Sequence, residues 1–224
     1  MADPDPGLDA GAARRRTVVD PGEARRVPVV LASASPRRRE LLAGMGVRFT
    51  VVVPDIDESP EPAEDPARYV ERLARAKADA VAATLGHPHP VVLAADTTVT
   101  LAGHILGKPA DAAEAGVMLR ALSGRTHLVH TGVAVVGPRG TASSVTTTEV
   151  TFRALGRDEI AAYVATGDPL DKAGAYGIQG EAGKFVADLR GSASNVVGLP
   201  AAQTMALLAD AGLDPVTWGP PRDA

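Results

Sequence analysis

The sequence predicts an α/β fold in which helices pack on a mixed β-sheet. Segments with the apolar spacing of helices alternate along the chain with short apolar runs that are typical of buried strands. One pair of successive strands, predicted over 126–136 and 143–152, flanks the turn Gly137-Pro138-Arg139-Gly140 and therefore adds an antiparallel hairpin. The chain has 224 residues, 45% of them hydrophobic and 22% charged, which is enough for one large domain or two small lobes.

Strands and helices alternate in the first half of the chain, where two helix starts carry capping signals. Ser35-Pro36 and Asp65-Pro66 each place a side-chain acceptor at the N-cap position and a proline at the first helical position. The predicted elements are a strand over 29–32, a helix from 36 that Gly44 or Gly46 ends, a strand over 49–53, a helix over 66–85 and a strand over 91–100.

The second half is predicted to add helices, the hairpin and one further strand, and both chain ends are irregular. Its predicted elements are a helix over 110–122, the hairpin strands, a helix over 157–165, a glycine-rich stretch over 174–183, a strand near 185–186 and a helix over 200–211. Residues 1–26 are rich in Pro, Gly, Asp and Arg and are predicted to form a disordered extension. One folded domain over 27–213 and an irregular tail over 214–224 complete the predicted organisation.

Composition argues against several classes of function. The chain has 23 basic and 27 acidic residues, so no excess of positive charge favours a nucleic-acid partner. It has no cysteine, which excludes disulfides, thiolate metal sites and cysteine nucleophiles. The first apolar run, 27–32, is too short for a signal peptide or a membrane span, so we expect a cytoplasmic protein without a membrane partner. The five histidines show no zinc-ligand spacing, and the G-x-S-x-G motif of serine hydrolases does not occur.

A cluster of serine and arginine residues at the start of the first helix suggests a phosphate-binding site. Ser33 and Ser35 precede the helix, and Arg37, Arg38 and Arg39 occupy its first turn. Free N–H groups at a helix start carry partial positive charge, so three arginines there are best explained by a bound anion. An arginine cluster solvated on the surface of an ordinary helix is the alternative interpretation.

Asp96 is the first candidate for catalysis. It follows the apolar run 91–95 at the point where the predicted strand turns polar, and α/β proteins place their sites at such sheet edges. A carboxylate there can bind Mg²⁺ or act as a general base on water. The alternative is an aspartate that caps the following turn.

Three further features of the sequence offer polar groups to a ligand. Lys77 lies on the apolar face of its own predicted helix, and Lys108 follows the Asp96 strand in a predicted turn. Asp55-Ile56-Asp57-Glu58 offers carboxylates to a hard cation. In the glycine-rich stretch, Gln179 has the donor and the acceptor that are needed to read a nucleotide base. For each of these features, a structural or solvated role is the alternative.

Short motifs follow one another along the chain in a fixed order. They are LASASPRR at 31–38, RLARAKA at 72–78, AADT at 94–97, GKP at 107–109, LSG at 122–124, DKAGAYGIQG at 171–180 and VVGLP at 196–200. Together they resemble the Maf family of nucleoside triphosphate pyrophosphatases, and the resemblance runs from about Val29 to Leu213. It implies a long, twisted mixed sheet with flanking helices and two lobes around a cleft, akin to inosine triphosphate pyrophosphatases.

The resemblance also implies a reaction and a cofactor. Family members hydrolyse nucleoside triphosphates between the α- and β-phosphates, releasing the monophosphate and pyrophosphate with a divalent metal, Mg²⁺ or Mn²⁺. The substrate is then the expected partner, with a homodimer left open. This activity removes unwanted nucleotides from the cellular pool.

Individual residues acquire roles through the same resemblance. Asp96 matches the family's proton acceptor, and Ser33, Arg38, Glu58, Lys77 and Lys108 match its polar cleft residues. Of these, Lys77 and Lys108 are expected to assist catalysis, and Glu58 with Asp96 to hold the metal. Arg37, Thr97 and Gln179 match the positions that set substrate choice in the branch similar to dTTP/UTP pyrophosphatases.

Two alternatives remain open for the function, and one detail is expected for substrate choice. The alternatives are a pyrophosphatase for modified purine nucleotides such as 7-methyl-GTP, and a non-catalytic regulator of septum formation. The amide of Gln179 can pair with N3–H and O4 of uracil or thymine, provided that its orientation is fixed. Thr97 is expected to help fix that orientation.

Overall fold

The computed structural model describes residues 29–86 and 90–213, which form a seven-stranded mixed sheet flanked by helices. The strands are β1 (Val29–Ala32), β2 (Phe49–Val52), β3 (Val91–Leu101), β4 (His104–Leu106), β5 (Thr126–Gly137), β6 (Gly140–Phe152) and β7 (Val186–Arg190). The helices are α1 (Pro36–Gly44), α2 (Pro66–Leu85), α3 (Ala112–Leu122), α4 (Arg157–Ala165), α5 (Ala193–Val197) and α6 (Ala201–Asp210). Short 3₁₀ turns cover Asp168–Asp171, Ala173–Ala175 and Glu181–Phe185. The predicted α/β fold is therefore confirmed.

The sheet topology determines where the polar residues meet. The strand order is β2-β1-β3-β5-β6-β7, with β4 paired to the end of β3. β1 is parallel to β2 and to β3, whereas the other strand pairs are antiparallel. Ala32, the last residue of β1, aligns with Ala94 on β3. The loop that follows β1 therefore lies beside Asp96, two residues further along β3.

Alternate side chains of β1 pack against different helices, as the period of a strand requires. Its odd-numbered residues belong to a buried cluster that includes Leu42 of α1 and Leu208 of α6. Its even-numbered residues pack with Ala74 and Ala78 of α2. Because these alanines are small, α2 can lie close to the sheet.

Helix α2 approaches the sheet closely at Gly132 on β5. A Cβ atom at position 132 would lie 2.3 Å from the carbonyl oxygen of Val70 and 2.8 Å from the backbone nitrogen of Glu71. These are backbone atoms that no side-chain rotation can move away, so the contact requires glycine. This contact sets the distance between β5 and α2, and α2 carries Lys77 two turns beyond Val70.

A second buried region lies against α3 and α4. The chain has few aromatic residues, and most of them belong to this region. Phe152 contacts the ring of Tyr176 edge-on at a centroid distance of 4.8 Å, and that of His127 at 4.9 Å. The Nε2 atom of His127 lies 2.8 Å from the hydroxyl of Tyr176. Burial lowers the pKa of His127 to about 4, so this histidine is a neutral core residue at physiological pH.

Several predicted boundaries differ from the structure for local reasons. The helix predicted from 110 begins at Ala112, because the Asp111 side chain accepts a hydrogen bond from the Glu114 N–H at 2.8 Å and acts as N-cap. The hairpin loop is only two residues long, since Gly137 pairs with Gly140, and the strand predicted from 143 therefore begins at Gly140. The last predicted strand begins at Val186 rather than 185, and β4, α5 and the 3₁₀ turns were not predicted.

The predicted extension over 1–26 and the predicted tail over 214–224 lie outside the described residues. Within the described part of the chain, no helix combines the length and the apolar character that crossing a bilayer requires.

Candidate active site

A cleft of about 520 Å³ opens where β1 ends and β3 turns polar. Its walls come from the loop after β1, the start of α1, residues 53–58, α2, β3, the loop after β4, residues 171–179 and α5. All nine side chains to which the family resemblance assigned a role line this cleft. They are Ser33, Arg37, Arg38, Glu58, Lys77, Asp96, Thr97, Lys108 and Gln179.

Lys77 joins the two carboxylates predicted for the metal site. Its Nζ atom lies 2.6 Å from Oδ1 of Asp96 and 2.8 Å from Oε1 of Glu58. Lys77 is only 6% exposed and Asp96 only 7%, whereas Glu58 is on the exposed side of the cluster. The lysine that helical periodicity placed on an apolar face therefore points into the cleft instead of reaching solvent.

Asp96 has the environment of a strengthened base. Burial raises the pKa of its carboxyl, the nearby charges of Lys77 and Arg38 oppose that rise, and the charge of Glu58 adds to it. The net direction is upward, which makes the carboxylate a better proton acceptor than a solvated aspartate. Its Oδ2 atom accepts no hydrogen bond from the described residues and so is available to water or a ligand.

Arg38 is held in place by neutral groups rather than by a carboxylate. Its Nε donates to the carbonyl oxygen of Gly198 at 2.8 Å, and its Nη2 donates to Oγ1 of Thr97 at 3.0 Å. A longer contact of 3.4 Å joins Nη1 to Oγ of Ser33. Burial lowers the pKa of the guanidinium, and the charge of Asp96 partly offsets this effect. Arg38 therefore brings an unneutralised positive charge to the cleft.

The start of α1 is built as the sequence predicts. The Ser35 side chain accepts a hydrogen bond from the backbone N–H of Arg38, so it is the N-cap, and Pro36 is the first helical residue. Of the three arginines in this turn, Arg37 and Arg38 line the cleft, whereas Arg39 is exposed and does not. The predicted arginine cluster is thus divided between the cleft and the outer surface.

Arg37, Lys108 and Gln179 present side chains without protein partners to the cleft. Within the described residues, none of the three makes a side-chain hydrogen bond or an ion pair. Polar groups on a cleft wall that have no protein partner can bind a ligand without breaking an existing contact.

Thr97 does not orient Gln179, and that expectation is wrong. Its hydroxyl accepts from Arg38 and lies 2.9 Å from the hydroxyl of Thr131. The side chain of Thr97 therefore belongs to the arginine end of the cleft.

Two residues of the cleft were missed by the sequence analysis. Tyr69 on α2 donates from its hydroxyl to the carbonyl oxygen of Glu58 at 2.9 Å. Burial, together with the charges of Asp96 and Glu58, raises the pKa of Tyr69 to about 12, so it remains a donor. Lys172 is 8% exposed, and its Nζ lies 2.9 Å from Asp168 Oδ1 and 2.6 Å from Asp171 Oδ1.

The acidic segment 55–58, like the arginine cluster, lies only partly in the cleft. Only Glu58 lines the cleft, and the Asp57 side chain accepts from the backbone N–H of Ser59 at 2.9 Å. In the described part of the chain, no group of three or more His, Asp or Glu residues is arranged to hold a metal ion. A cation in the cleft would therefore need oxygen ligands from a bound molecule in addition to Glu58 and Asp96.

Comparisons with known proteins agree over almost the whole described chain. A family model described as Maf-like protein matches residues 28–211. The dTTP/UTP pyrophosphatase of Myxococcus xanthus is 58% identical over 190 residues, which are 85% of this chain and 95% of that protein. The dTTP/UTP pyrophosphatase of Moorella thermoacetica is 56% identical over 195 residues, with 85% and 97% covered. A solved structure, of the Staphylococcus aureus Ham1 protein, covers 81% of this chain and 96% of its own at 18% identity and a TM-score of 0.43. The range that the family model matches includes every residue lining the cleft.

Proposed function

The chain belongs to the Maf-like protein family, and from this premise we propose that it hydrolyses nucleoside triphosphates, dTTP and UTP best, to the monophosphate and pyrophosphate. The observation that carries the proposal is the buried Asp96 carboxylate, 2.6 Å from Lys77 at one end of a cleft with further cationic residues. Hydrolysis of a phosphoanhydride by water needs a base for the water and positive charge for the phosphates, and this cleft supplies both. The names of relatives such as that of Myxococcus xanthus support the choice of substrate.

Each residue of the Asp96 cluster has a separate role in the proposed reaction. Asp96 accepts a proton from the attacking water, because its Oδ2 atom is free and its pKa is raised. Lys77 binds Oδ1 of the same carboxylate and thereby fixes the direction in which Oδ2 points. Glu58 supplies a second carboxylate that balances the charge of Lys77.

The phosphates bind to the cations that have no carboxylate partner. Arg38 is preorganised by its bonds to Gly198 and Thr97, whereas the Lys108 side chain has no protein partner among the described residues and is available to a bound triphosphate. A triphosphate carries about four negative charges, so local positive charge of this kind is required in a chain whose net charge is −4. Ser33, whose hydroxyl lies beside Arg38, offers a further hydrogen bond.

The residues present fit a divalent metal that is shared with the substrate. Mg²⁺ is commonly held by one or two carboxylates together with substrate phosphates, and the exposed carboxylate of Glu58 matches that pattern. Since Oδ2 of Asp96 is assigned to the base, Glu58 and the phosphates would be the principal ligands, with Asp96 next to them. When bound, Mg²⁺ or Mn²⁺ would neutralise phosphate charge. A homodimer stays open, and because the proposed substrate is a nucleotide we expect a cytoplasmic protein.

Base recognition is assigned to Gln179, whose side chain faces the cleft without a protein partner. Its amide can accept from N3–H and donate to O4 of uracil or thymine. Arg37, which is only a donor, favours a base edge that bears a carbonyl group. Because no protein partner among the described residues fixes the Gln179 amide, it can also rotate to pair with cytosine, so the preference for dTTP and UTP over cytidine nucleotides is assigned to Arg37.

Product analysis tests the proposed reaction. The protein is incubated with dTTP and Mg²⁺ or Mn²⁺, and ³¹P NMR follows the products, with EDTA in a parallel sample. We expect dTMP and pyrophosphate in equal amounts, and no turnover with EDTA. Release of dTDP and inorganic phosphate would refute cleavage between the α- and β-phosphates, and an absence of turnover would refute the enzyme.

A further inference from the structure

A chain of hydrogen bonds leads from Arg38 into the interior of the protein. Nη2 of Arg38 donates to Oγ1 of Thr97 at 3.0 Å, and Oγ1 of Thr97 lies 2.9 Å from Oγ1 of Thr131. The Thr131 hydroxyl donates to the backbone carbonyl oxygen of Asn195 at 3.0 Å. Thr131 and Asn195 are both fully buried, so the chain starts in the cleft and ends in the core.

The direction of every bond in this chain follows from counting protons. A carbonyl oxygen can only accept, so the single hydroxyl proton of Thr131 goes to Asn195. Thr131 must then accept from Thr97, which uses the single hydroxyl proton of Thr97. Arg38 can only donate, and its proton completes the sequence. Thr97 therefore has no proton left for a ligand and can only accept from one.

The inner end of the chain is rigid. The side-chain Nδ2 of Asn195 donates to the carbonyl oxygen of Val129 at 2.9 Å and to Oγ1 of Thr148 at 3.0 Å, which ties α5 to two strands. Gly198 is the C-cap of α5, and its carbonyl oxygen accepts the hydrogen bond from Nε of Arg38. At a φ of 119°, Gly198 adopts a backbone conformation that other residues rarely adopt. Two contacts connected to α5 thus hold the guanidinium plane.

We propose that Thr131 is a positioning residue, which acts through Thr97 to fix the guanidinium of Arg38 for binding of the polyphosphate. Thr131 lies outside the lining of the cleft and touches the site only through Thr97. The inference rests on the proposed function in one respect, that Arg38 binds phosphate groups of the substrate. Loss of the Thr131 hydroxyl removes the acceptor of the Thr97 proton, so both the Thr97 hydroxyl and the arginine gain freedom to rotate.

The strand pair that contains Thr131 provides a matched control. Thr146 lies directly opposite Thr131 in the register of β5 and β6, and its hydroxyl is buried without a hydrogen-bond partner among the described residues. Thr131→Val and Thr146→Val make the same chemical change at neighbouring positions, but only the first breaks the chain. Thr131→Ser keeps the hydroxyl and should therefore keep the chain of hydrogen bonds intact.

The experiment measures pyrophosphate binding by calorimetry and kcat/KM for dTTP in the wild type and these variants. In Thr131→Val we expect pyrophosphate Kd to rise about three- to tenfold and kcat/KM to fall by a similar factor, the scale of one hydrogen bond between neutral groups. Thr146→Val and Thr131→Ser should remain within about twofold of the wild type, since their chains are intact. Equal binding by Thr131→Val and Thr146→Val would overturn the proposal. Equal weakening in Thr131→Ser and Thr131→Val would also overturn it, because the methyl group rather than the hydroxyl would then matter.

A second variant covers the case in which Thr131→Val does not fold. Thr97→Val breaks the same chain one link nearer the cleft and should weaken pyrophosphate binding about tenfold. If both single variants fold, the double variant should bind pyrophosphate no more weakly than the weaker-binding single variant. Each substitution breaks the same chain of hydrogen bonds, so the second has nothing further to remove. Additive losses of affinity, or unchanged binding in Thr97→Val, would refute the proposed chain of hydrogen bonds.

Pyrophosphate binding does not require turnover, so a wild type that binds pyrophosphate but hydrolyses no nucleotide refutes the proposed function alone. A wild type that does not bind pyrophosphate refutes this proposal.

Discussion

Asp96 illustrates how the surroundings of one residue determine its chemistry. The run of apolar residues before it on β3 carries the carboxylate to a buried position, and burial raises its pKa. Lys77 and Arg38 keep the charged form accessible in spite of that burial. An isolated buried carboxylate would instead become neutral and lose its value as a base.

Asp96→Asn tests this role, because it keeps the shape of the side chain and removes the charge. We expect kcat for dTTP to fall by roughly 10² or more, the scale for loss of a general base, while the fold is retained. The matched control is Asp79→Asn, since Asp79 is an exposed aspartate on the same helix as Lys77. Circular dichroism of both variants verifies folding, and near-normal turnover by Asp96→Asn would remove this residue from the mechanism.

Residue types and motif order were sufficient to predict nine side chains that line the cleft, but not Tyr69 or Lys172, and not which side chains touch each other. Lys77 could be placed by helical spacing, and Gln179 by its position in the glycine-rich stretch. The partners of Thr97 could not, because its contacts with Arg38 and Thr131 join three separate elements. Such contacts depend on the register of β3 against β5, which no local pattern determines.

At the scale of elements, helix α2 carries Lys77 to the cleft, and the distance between α2 and the sheet depends on Gly132. The start of α2 was predictable, because Asp65 accepts hydrogen bonds from the N–H groups of Ala67 and Arg68, as a capping residue should. The five-residue helix α5 was not predictable, since so short a helix shows no apolar period. It nevertheless supplies Asn195, the inner end of the hydrogen-bond chain.

Gly132→Ala should separate α2 from the sheet. The added methyl group would lie 2.3 Å from the Val70 carbonyl oxygen, so the helix or the strand must move. We expect the free energy of unfolding in urea to fall by about 1–3 kcal/mol, the usual cost of overpacking. Gly44→Ala is the control, because a Cβ there meets no atom within 4 Å, and it should be no less stable than the wild type. Equal stability of the two variants would show that α2 does not depend on this contact.

For the whole molecule, the distribution of charge matters more than its sum. The net charge is −4, yet the described cleft is lined by five cationic and three anionic side chains. Lys77 and Lys172 are paired with carboxylates, whereas Arg37, Arg38 and Lys108 have no carboxylate partner among the described residues. Net charge alone was enough to disfavour a nucleic-acid partner, but it could not show that unpaired cations meet in one cleft.

The central claim is that this cleft hydrolyses dTTP and UTP in preference to other nucleoside triphosphates. Its most direct test is to measure kcat/KM for dTTP, UTP, dCTP, CTP, ATP and GTP with Mg²⁺. A base edge that does not match Arg37 and Gln179 together leaves polar groups unsatisfied, at about 1–3 kcal/mol each, or about ten- to a hundredfold in kcat/KM. We therefore predict that dTTP and UTP exceed the other four nucleotides by at least about tenfold and differ little from each other. A purine nucleotide or CTP ahead of both dTTP and UTP would contradict the account.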